Sequence, residues 1–233
     1  MSDYPIAFNA SDADGWNLFW KYIISNNQFY YNDFFCSMFS DYHKLVPLFK
    51  KHGYKTILCA GNGISLEPYF FANEEFSVTA LDISSEANKF LANFPLNPSD
   101  LRGFYQENYP GNKEPAGNFY QEEISKIKSV KLVTGDIFNS DCCPGPFDVI
   151  ITRKTLQCFW GKSGEKTFEG MQALLARLSP HGLLYVHTHN TDPWNDAMIE
   201  WVQSQGILDY SDYNADIGEK ADQRLFYFWS TSG

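Results

Sequence analysis

The sequence predicts an α/β fold: a mostly parallel sheet of seven strands with helices on both faces, an antiparallel strand pair at the C-terminal end and a helical preface before the first strand. Two observations carry this. Short apolar runs bounded by glycine, proline or an acid recur at 56–60, 76–82, 130–134, 147–152 and 183–188, and such runs read as strands covered on both faces. Between most of them lie segments whose apolar residues fall three and four apart, the period of a helix lying on a sheet.

The preface comes first. Ser11, Asp12 and Asp14 are candidate caps for a helix whose Trp16, Phe19, Trp20, Ile23 and Ile24 share one face. Residues 28–39 are crowded with aromatics and read as a second helical piece or a packed loop. Residues 41–51 give another helix, with Leu45, Leu48 and Phe49 inward and Gly53 as its stop. Trp16, Trp20 and most phenylalanines here read as core, whereas Tyr30 and Tyr31 carry polar handles that can face a ligand. Residues 1–54 are thus expected to form a helical cover and 55–233 the sheet domain.

The first strand, 56–60, runs into Gly61-Asn62-Gly63 and then a helix expected over 65–72, with Pro68 in its early turns. Strand 76–82 ends in Asp82, and a helix over 84–94 follows with Ser84 or Ser85 as cap. Prolines and glycines repeatedly break the next stretch, so 95–129 reads as an insertion or a lid, with Tyr105 among its ligand-facing aromatics. Strands at 130–134 and 147–152 come next. A helix over 166–178 is closed by Ser179-Pro180-His181-Gly182 and feeds strand 183–188. A helix over 196–205 precedes an antiparallel pair, 207–210 with 225–230.

Composition narrows the function classes. The chain has 233 residues and a net charge of −10, with no basic stripe. A nucleic-acid binder needs such a stripe to displace counterions from phosphates, so no nucleic-acid partner is expected. Five cysteines without metal spacing, no leader-like N-terminus and no bilayer-length apolar run point to a cytoplasmic protein without a membrane partner.

The chemistry-bearing residues fall at the carboxyl ends of successive strands, where open α/β sheets bind ligands. Gly61 and Gly63 permit a sharp turn and close ligand approach. Asp82 follows Gly63 by 19 residues and can accept both hydroxyls of a ribose. Asp136 ends the next strand, placed to accept from an adenine amino group, with Ile137 against the ring. Alone, either acid reads as a helix cap or turn residue; in order at successive strand ends they read as a nucleoside site.

Five segments carry a resemblance: Ile57-Leu-Cys-Ala-Gly-Asn-Gly-Ile-Ser65, Ala80-Leu-Asp-Ile-Ser84, Gly135-Asp-Ile-Phe138, Phe147-Asp-Val-Ile-Ile-Thr-Arg153 and Leu178-Ser-Pro-His-Gly-Leu-Leu-Tyr-Val186. In these the chain resembles the class I S-adenosylmethionine-dependent methyltransferases, from about Lys55 to the C-terminus. The resemblance implies a Rossmann-like fold and S-adenosylmethionine as cofactor. Gly61 and Gly63, with Ala60 and Asn62, would lie under its methionine part. Asp82, with Ile83 beside it, would hold the ribose, and Asp136 and Ile137 the adenine. Thr152 and Arg153 would border the methyl-transfer site. Cys59 stands where the family usually has an acid that helps orient the cofactor's amino group, and Ser65 where it has a third glycine. Glu67, a turn later, is the residue able to compensate.

Methyl transfer is mainly a matter of holding two groups in line. His189, beyond the fifth strand, is the candidate general base and Arg153 the candidate partner for an anionic substrate group. His187 and His189 share a strand face, yet spacing fixes no third ligand, so no metal is expected. The acidic charge and the absence of an Asn-Pro-Pro-Tyr segment point to a small-molecule acceptor, and the aromatic preface to a flat or apolar one. The rival readings are a non-catalytic ligand-sensing or partner-binding protein and a nicotinamide-dependent oxidoreductase. Against the second, Leu66 occupies the position where the dinucleotide fingerprint requires glycine.

Overall fold

Alternation along the strands decides which helices cover which face of the sheet. In a computed structural model, residues 12–26, 39–93, 130–159, 165–189, 195–205, 208–212 and 223–230 are described. Ile57, Cys59, Val149, Ile151, Leu183 and Tyr185 point to one side, where they pack with residues from four helices: α1 (Ala13–Ser25), α2 (Phe39–Lys51), α3 (Glu67–Asn73) and α4 (Ser85–Ala92). Leu58, Ala60, Ile150, Leu184 and Val186 point to the other side, against Met171 and Leu174 of α5 (Glu165–Leu175) and Met198 of α6 (Asn195–Gln205). Strands buried on both faces explain the unbroken apolar runs of the sequence.

The strands are β1 (Thr56–Ala60), β2 (Ser77–Asp82), β3 (Lys131–Thr134), β4 (Phe147–Arg153), β5 (Leu178–His189), β6 (Leu208–Asp212) and β7 (Gln223–Ser230). Their order in the sheet is β3-β2-β1-β4-β5-β7-β6. β1 to β5 run parallel, as expected from the strand–helix alternation. β7 lies antiparallel to both of its neighbours, β5 and β6. The order reverses between β1 and β4, and the carboxyl ends of two such strands are where open α/β sheets bind their ligands.

Several boundaries differ from the sequence expectation. α3 begins at Glu67, two residues late, because Ile64 to Leu66 complete the turn after Gly63, with Ser65 N–H donating to the Asn62 carbonyl over 2.9 Å. α5 stops at Leu175, and Leu178 already pairs with Phe147 in the sheet. Sheet pairing overrides the helical spacing of Leu174, Leu175 and Leu178: Phe147 N–H donates to the Arg177 carbonyl over 2.8 Å. Ser179 to Gly182 therefore belong to β5, with a register shift and His181 at φ +61° absorbing the irregularity. α4 has Ser84 as its cap, one of the two candidates, its hydroxyl accepting from Ala87 N–H. The stretch 95–129 lies outside the described residues.

A buried arginine and a half-buried aspartate fasten the sheet. The Arg177 guanidinium, almost fully buried, donates to the carbonyls of Cys143, Ala173 and Asn139 over 2.7–2.9 Å, joining the end of α5 to the loop before β4. At the amino edge, Asp148 Oδ2 accepts from the N–H groups of Lys55 and Thr56 and from the Thr56 hydroxyl, and Oδ1 accepts from Ser179. Burial would raise this carboxyl, but those four donors outweigh it and hold the pKa below its ordinary value. Asp148→Ala is expected to cost about 1–3 kcal/mol of stability, read as a lower urea midpoint at unchanged slope. A depressed carboxyl stabilises above its ordinary pKa and loses that contribution as pH falls, so the deficit should shrink in acid.

Candidate functional site

The glycine turn forms because β1 must reverse direction under a covering layer. Gly61 and Gly63 both take positive φ, +67° and +52°, where a side chain is strained. Both are also closed over. A Cβ on Gly61 would lie 2.3 Å from the Thr155 side chain, and one on Gly63 would lie 2.4 Å from the Trp20 ring. Thr155 reaches the turn because Lys154, at φ +53°, folds the chain back after β4, and its hydroxyl donates to the Gly61 carbonyl over 3.1 Å. The segments after β1 and β4 thus meet at the glycine turn.

Asp82 joins the turn after β1 to the turn after β2. Its Oδ2 accepts from Gly63 N–H over 2.7 Å and its Oδ1 from Ser84 N–H over 2.8 Å. The carboxyl is buried, and that desolvation, against the two N–H donors, pushes its pKa up to about 6. Each carboxylate oxygen keeps a further acceptor site. Asn62 spends its amide N–H on the Gly63 carbonyl, while its buried Oδ1 has no hydrogen-bond partner among the described residues. Buried acceptors of this kind call for an explanation, and a bound ligand is one.

The cover is α1. Asp12 caps it, accepting from Gly15 N–H over 2.7 Å. Trp20, nine-tenths buried, belongs to the core as its spacing implied, and it also lies on Gly63. One turn earlier Asn17 Oδ1 accepts from Ser84 Oγ over 2.8 Å and from Glu86 N–H over 3.2 Å. One helix therefore closes over both the β1 and β2 turns, which the sequence could not indicate because the contacts span 43 to 69 positions.

Farther out, Asp136 accepts from Phe138 N–H over 3.0 Å and stays partly open. Ile137 is buried among Leu58, Ala60 and Leu81, so its side chain belongs to the core below the turn. Ala60 and Thr152 are buried at the ends of β1 and β4, and Ile83 is half-buried. Arg153, half-buried, stands opposite His187 in the sheet register. His189 ends β5, and its side chain lies outside the described residues, as do Tyr30, Tyr31 and Tyr105.

Beneath the glycine turn lies a polar group that reads, in the sequence, only as a substitute for a missing acid. Glu67 is buried and accepts a short hydrogen bond from the Tyr42 hydroxyl. Cys59, on the adjoining strand, is close enough to the same carboxylate for the two to influence each other's ionisation. Burial raises the Glu67 pKa above its ordinary value, with the Arg153 charge the chief opposing influence. Burial, then the Glu67 charge, likewise holds the Tyr42 phenol and the Cys59 thiol well above theirs.

No protein-family model matches the chain, and no curated protein matches it in sequence. Solved structures do. A TehB-like SAM-dependent methyltransferase from Corynebacterium glutamicum aligns with 94% of this chain and 97% of its own at 12% identity and a TM-score of 0.50. Magnesium protoporphyrin IX methyltransferase from Synechocystis PCC 6803, with bound SAM, aligns over 81% of this chain and 77% of its own at 13% identity and a TM-score of 0.51. At such identities the likeness is one of fold: the chain has the α/β fold of the SAM-dependent methyltransferases. Among the described residues, no helix is long and apolar enough to cross a membrane.

Proposed function

We propose that this protein is an S-adenosylmethionine-dependent methyltransferase acting on a small, flat or apolar molecule. The observation that carries the reading is Asp82: a buried carboxylate at the end of β2, hydrogen-bonded to the second glycine of the β1 turn, beside the point where strand order reverses. The residues fit the cofactor. Asp82 has acceptor capacity for two ribose hydroxyls, Asn62 offers an unused buried oxygen, and the turn is built so closely that a Cβ at either glycine would collide with its cover. Asp136 is assigned to the adenine amino group, with Ile83 beside the ring and Ala60 under the turn, while the buried Ile137 backs the site from the core.

When bound, the cofactor supplies an activated methyl group on a sulfonium. The chain's own part is to position and to exclude water. The crevice between β1 and β4 admits an acceptor past Thr152 and Arg153. Arg153 carries its positive charge toward buried Glu67 and Tyr42, so it orders the inner wall of the crevice and draws an anionic substituent to its mouth. His189, at the end of β5, takes the proton where the acceptor arrives protonated. Tyr30, Tyr31 and Tyr105 are assigned to the acceptor, and residues 1–54 and 95–129 to its enclosure. The seven-stranded sheet with its antiparallel C-terminal pair suits this reading, as does a reducing cytoplasm for the free thiols of Cys59, Cys142, Cys143 and Cys158. The net charge of −10 disfavours nucleic acid as acceptor.

The test is a calorimetric titration with S-adenosylmethionine and its demethylated product, S-adenosylhomocysteine. Micromolar binding of both is expected. Absence of heat together with absence of a thermal shift at millimolar ligand would reject the reading, and a shift with reduced nicotinamide cofactor instead would favour an oxidoreductase.

A further inference from the structure

Glu67 is a buried carboxylate whose surroundings do not fully account for it. Two oxygens offer about four acceptor sites. Among the described residues the hydrogen-bond donor to them is the Tyr42 hydroxyl from α2, with the Cys59 thiol of β1 close enough to influence the carboxyl. Arg153 at the end of β4 contributes field, and Tyr185 of β5 meets the Tyr42 ring edge-on with centroids 6.3 Å apart. A buried carboxylate is costly unless it is paired and fully hydrogen-bonded. With the Tyr42 hydroxyl as donor to this buried carboxyl, acceptor capacity is left over among the described residues, and burial keeps the Glu67 pKa above its ordinary value against Arg153, Tyr42 and Cys59.

Its position ties it to the glycine turn. Glu67 opens α3, and its N–H donates to Ser65 Oγ over 3.3 Å, so Ser65 sets how the residue leaves the turn. The side chain then runs back beside Cys59, two residues before Gly61 on β1. Within the same turn the buried Asn62 Oδ1 has no partner among the described residues. Among the described residues Glu67 and Asn62 thus keep acceptor sites without a donor, and a ligand that fills them brings a positive charge and several N–H groups.

We propose that Glu67, with the side-chain oxygen of Asn62, receives the ammonium of the amino-acid end of S-adenosylmethionine, so that the carboxylate of this site comes from the first turn of α3 and not from β1. This rests on the cofactor reading above and assigns a residue to it. Cys59 is then the neutral neighbour that leaves room for the Glu67 carboxylate. Tyr42 is a positioning residue, which fixes the carboxylate through its hydroxyl and ties α2 to the cofactor site.

The experiment compares two ligands on the full chain. S-adenosylhomocysteine carries the ammonium; 5′-methylthioadenosine has the same nucleoside and thioether without the amino-acid end. Glu67→Gln is expected to weaken the first roughly 10- to 100-fold and to leave the second within about twofold, a loss no greater than that of a remote substitution. The double variant Cys59→Asp with Glu67→Gln returns a carboxylate to the strand and should recover most of the lost affinity. Glu67→Asp, which keeps the charge but withdraws it by one methylene, is the alternative if Glu67→Gln does not fold, with the same selective loss at smaller size. Equal losses on both ligands, or no loss on either, would overturn the assignment while leaving the cofactor reading intact. Failure of the unaltered protein to bind either ligand would overturn both.

Discussion

Asp82→Ala is expected to weaken binding of S-adenosylhomocysteine roughly 100-fold or more, the effect of losing two hydrogen bonds to a charged acceptor. The same residue sets a pH dependence whose sign is fixed by its environment. Burial is the largest influence and lifts its carboxyl from 3.8 to about 6, against the pull of Ser84 and Gly63 N–H. Ribose hydroxyls that donate to the carboxylate favour its ionised form, so binding below pH 6 expels a proton. Affinity should fall about tenfold per pH unit on acidification below that point and be flat above it. In the free protein the sign is opposite. A carboxyl raised on folding stabilises below its ordinary pKa, and that contribution is lost as pH rises through 6, so the free protein carries a buried charge at neutral pH that ligand binding relieves. 5′-methylthioadenosine isolates this effect from Glu67. Calorimetry in buffers of different ionisation enthalpy counts the proton directly. Asp82→Asn should bind weakly at every pH with no break near 6; a break that persists in that variant would assign the titration to another group.

What the sequence reveals and what it hides divide along a physical line. The parallel sheet and the turn at Gly61 and Gly63 are legible because apolar runs and glycine act locally. The role of Asp82 as a join between two turns is half legible: its spacing from Gly63 is visible, but its bonds to Gly63 and Ser84 are not. The end of α5 is misread because Leu174, Leu175 and Leu178 keep helical spacing, whereas Phe147 captures the Arg177 carbonyl from another strand. Arg177 itself carries no signal. A lone arginine among apolar residues reads as surface, and only the three carbonyls that converge on it make burial tolerable. Glu67 is the sharpest case. Its hydrogen-bond partner Tyr42 lies 25 positions earlier, in a helix whose apolar stripe does not hint that a phenol hydroxyl is spent on the glycine turn. Trp20 is legible as core and illegible as cover for the same reason. Both contacts are fixed by how helices lie on the sheet, a property no short window of sequence contains.

The cover over Gly63 yields the other large effect. Gly63→Ala combines two penalties: a side chain at φ +52° and a Cβ 2.4 Å from the Trp20 ring. The first costs about 1–2 kcal/mol and the second adds about 1–3 kcal/mol, since Trp20 stacks on Trp16 with centroids 6.2 Å apart, meets Phe19 edge-on and has little room to yield. Gly53 separates the two. It has a similar φ, +74°, and a Cβ there would meet nothing within 4 Å. Gly53→Ala should therefore show the conformational penalty alone, about 1–2 kcal/mol in urea denaturation, and Gly63→Ala should exceed it. Adding Trp20→Leu to Gly63→Ala should remove the steric part, so the double variant falls short of the sum of its singles by about 1–2 kcal/mol. Equal costs for Gly53→Ala and Gly63→Ala would mean that α1 moves aside freely. The ligand then enters under a loose helix. The expected inequality means instead that the helix is held down at two points, by Trp20 on the β1 turn and by Asn17 on Ser84. In that case one cover spans the turns proposed to hold the ribose and amino-acid ends of S-adenosylmethionine, and loosening either point should weaken binding of S-adenosylhomocysteine.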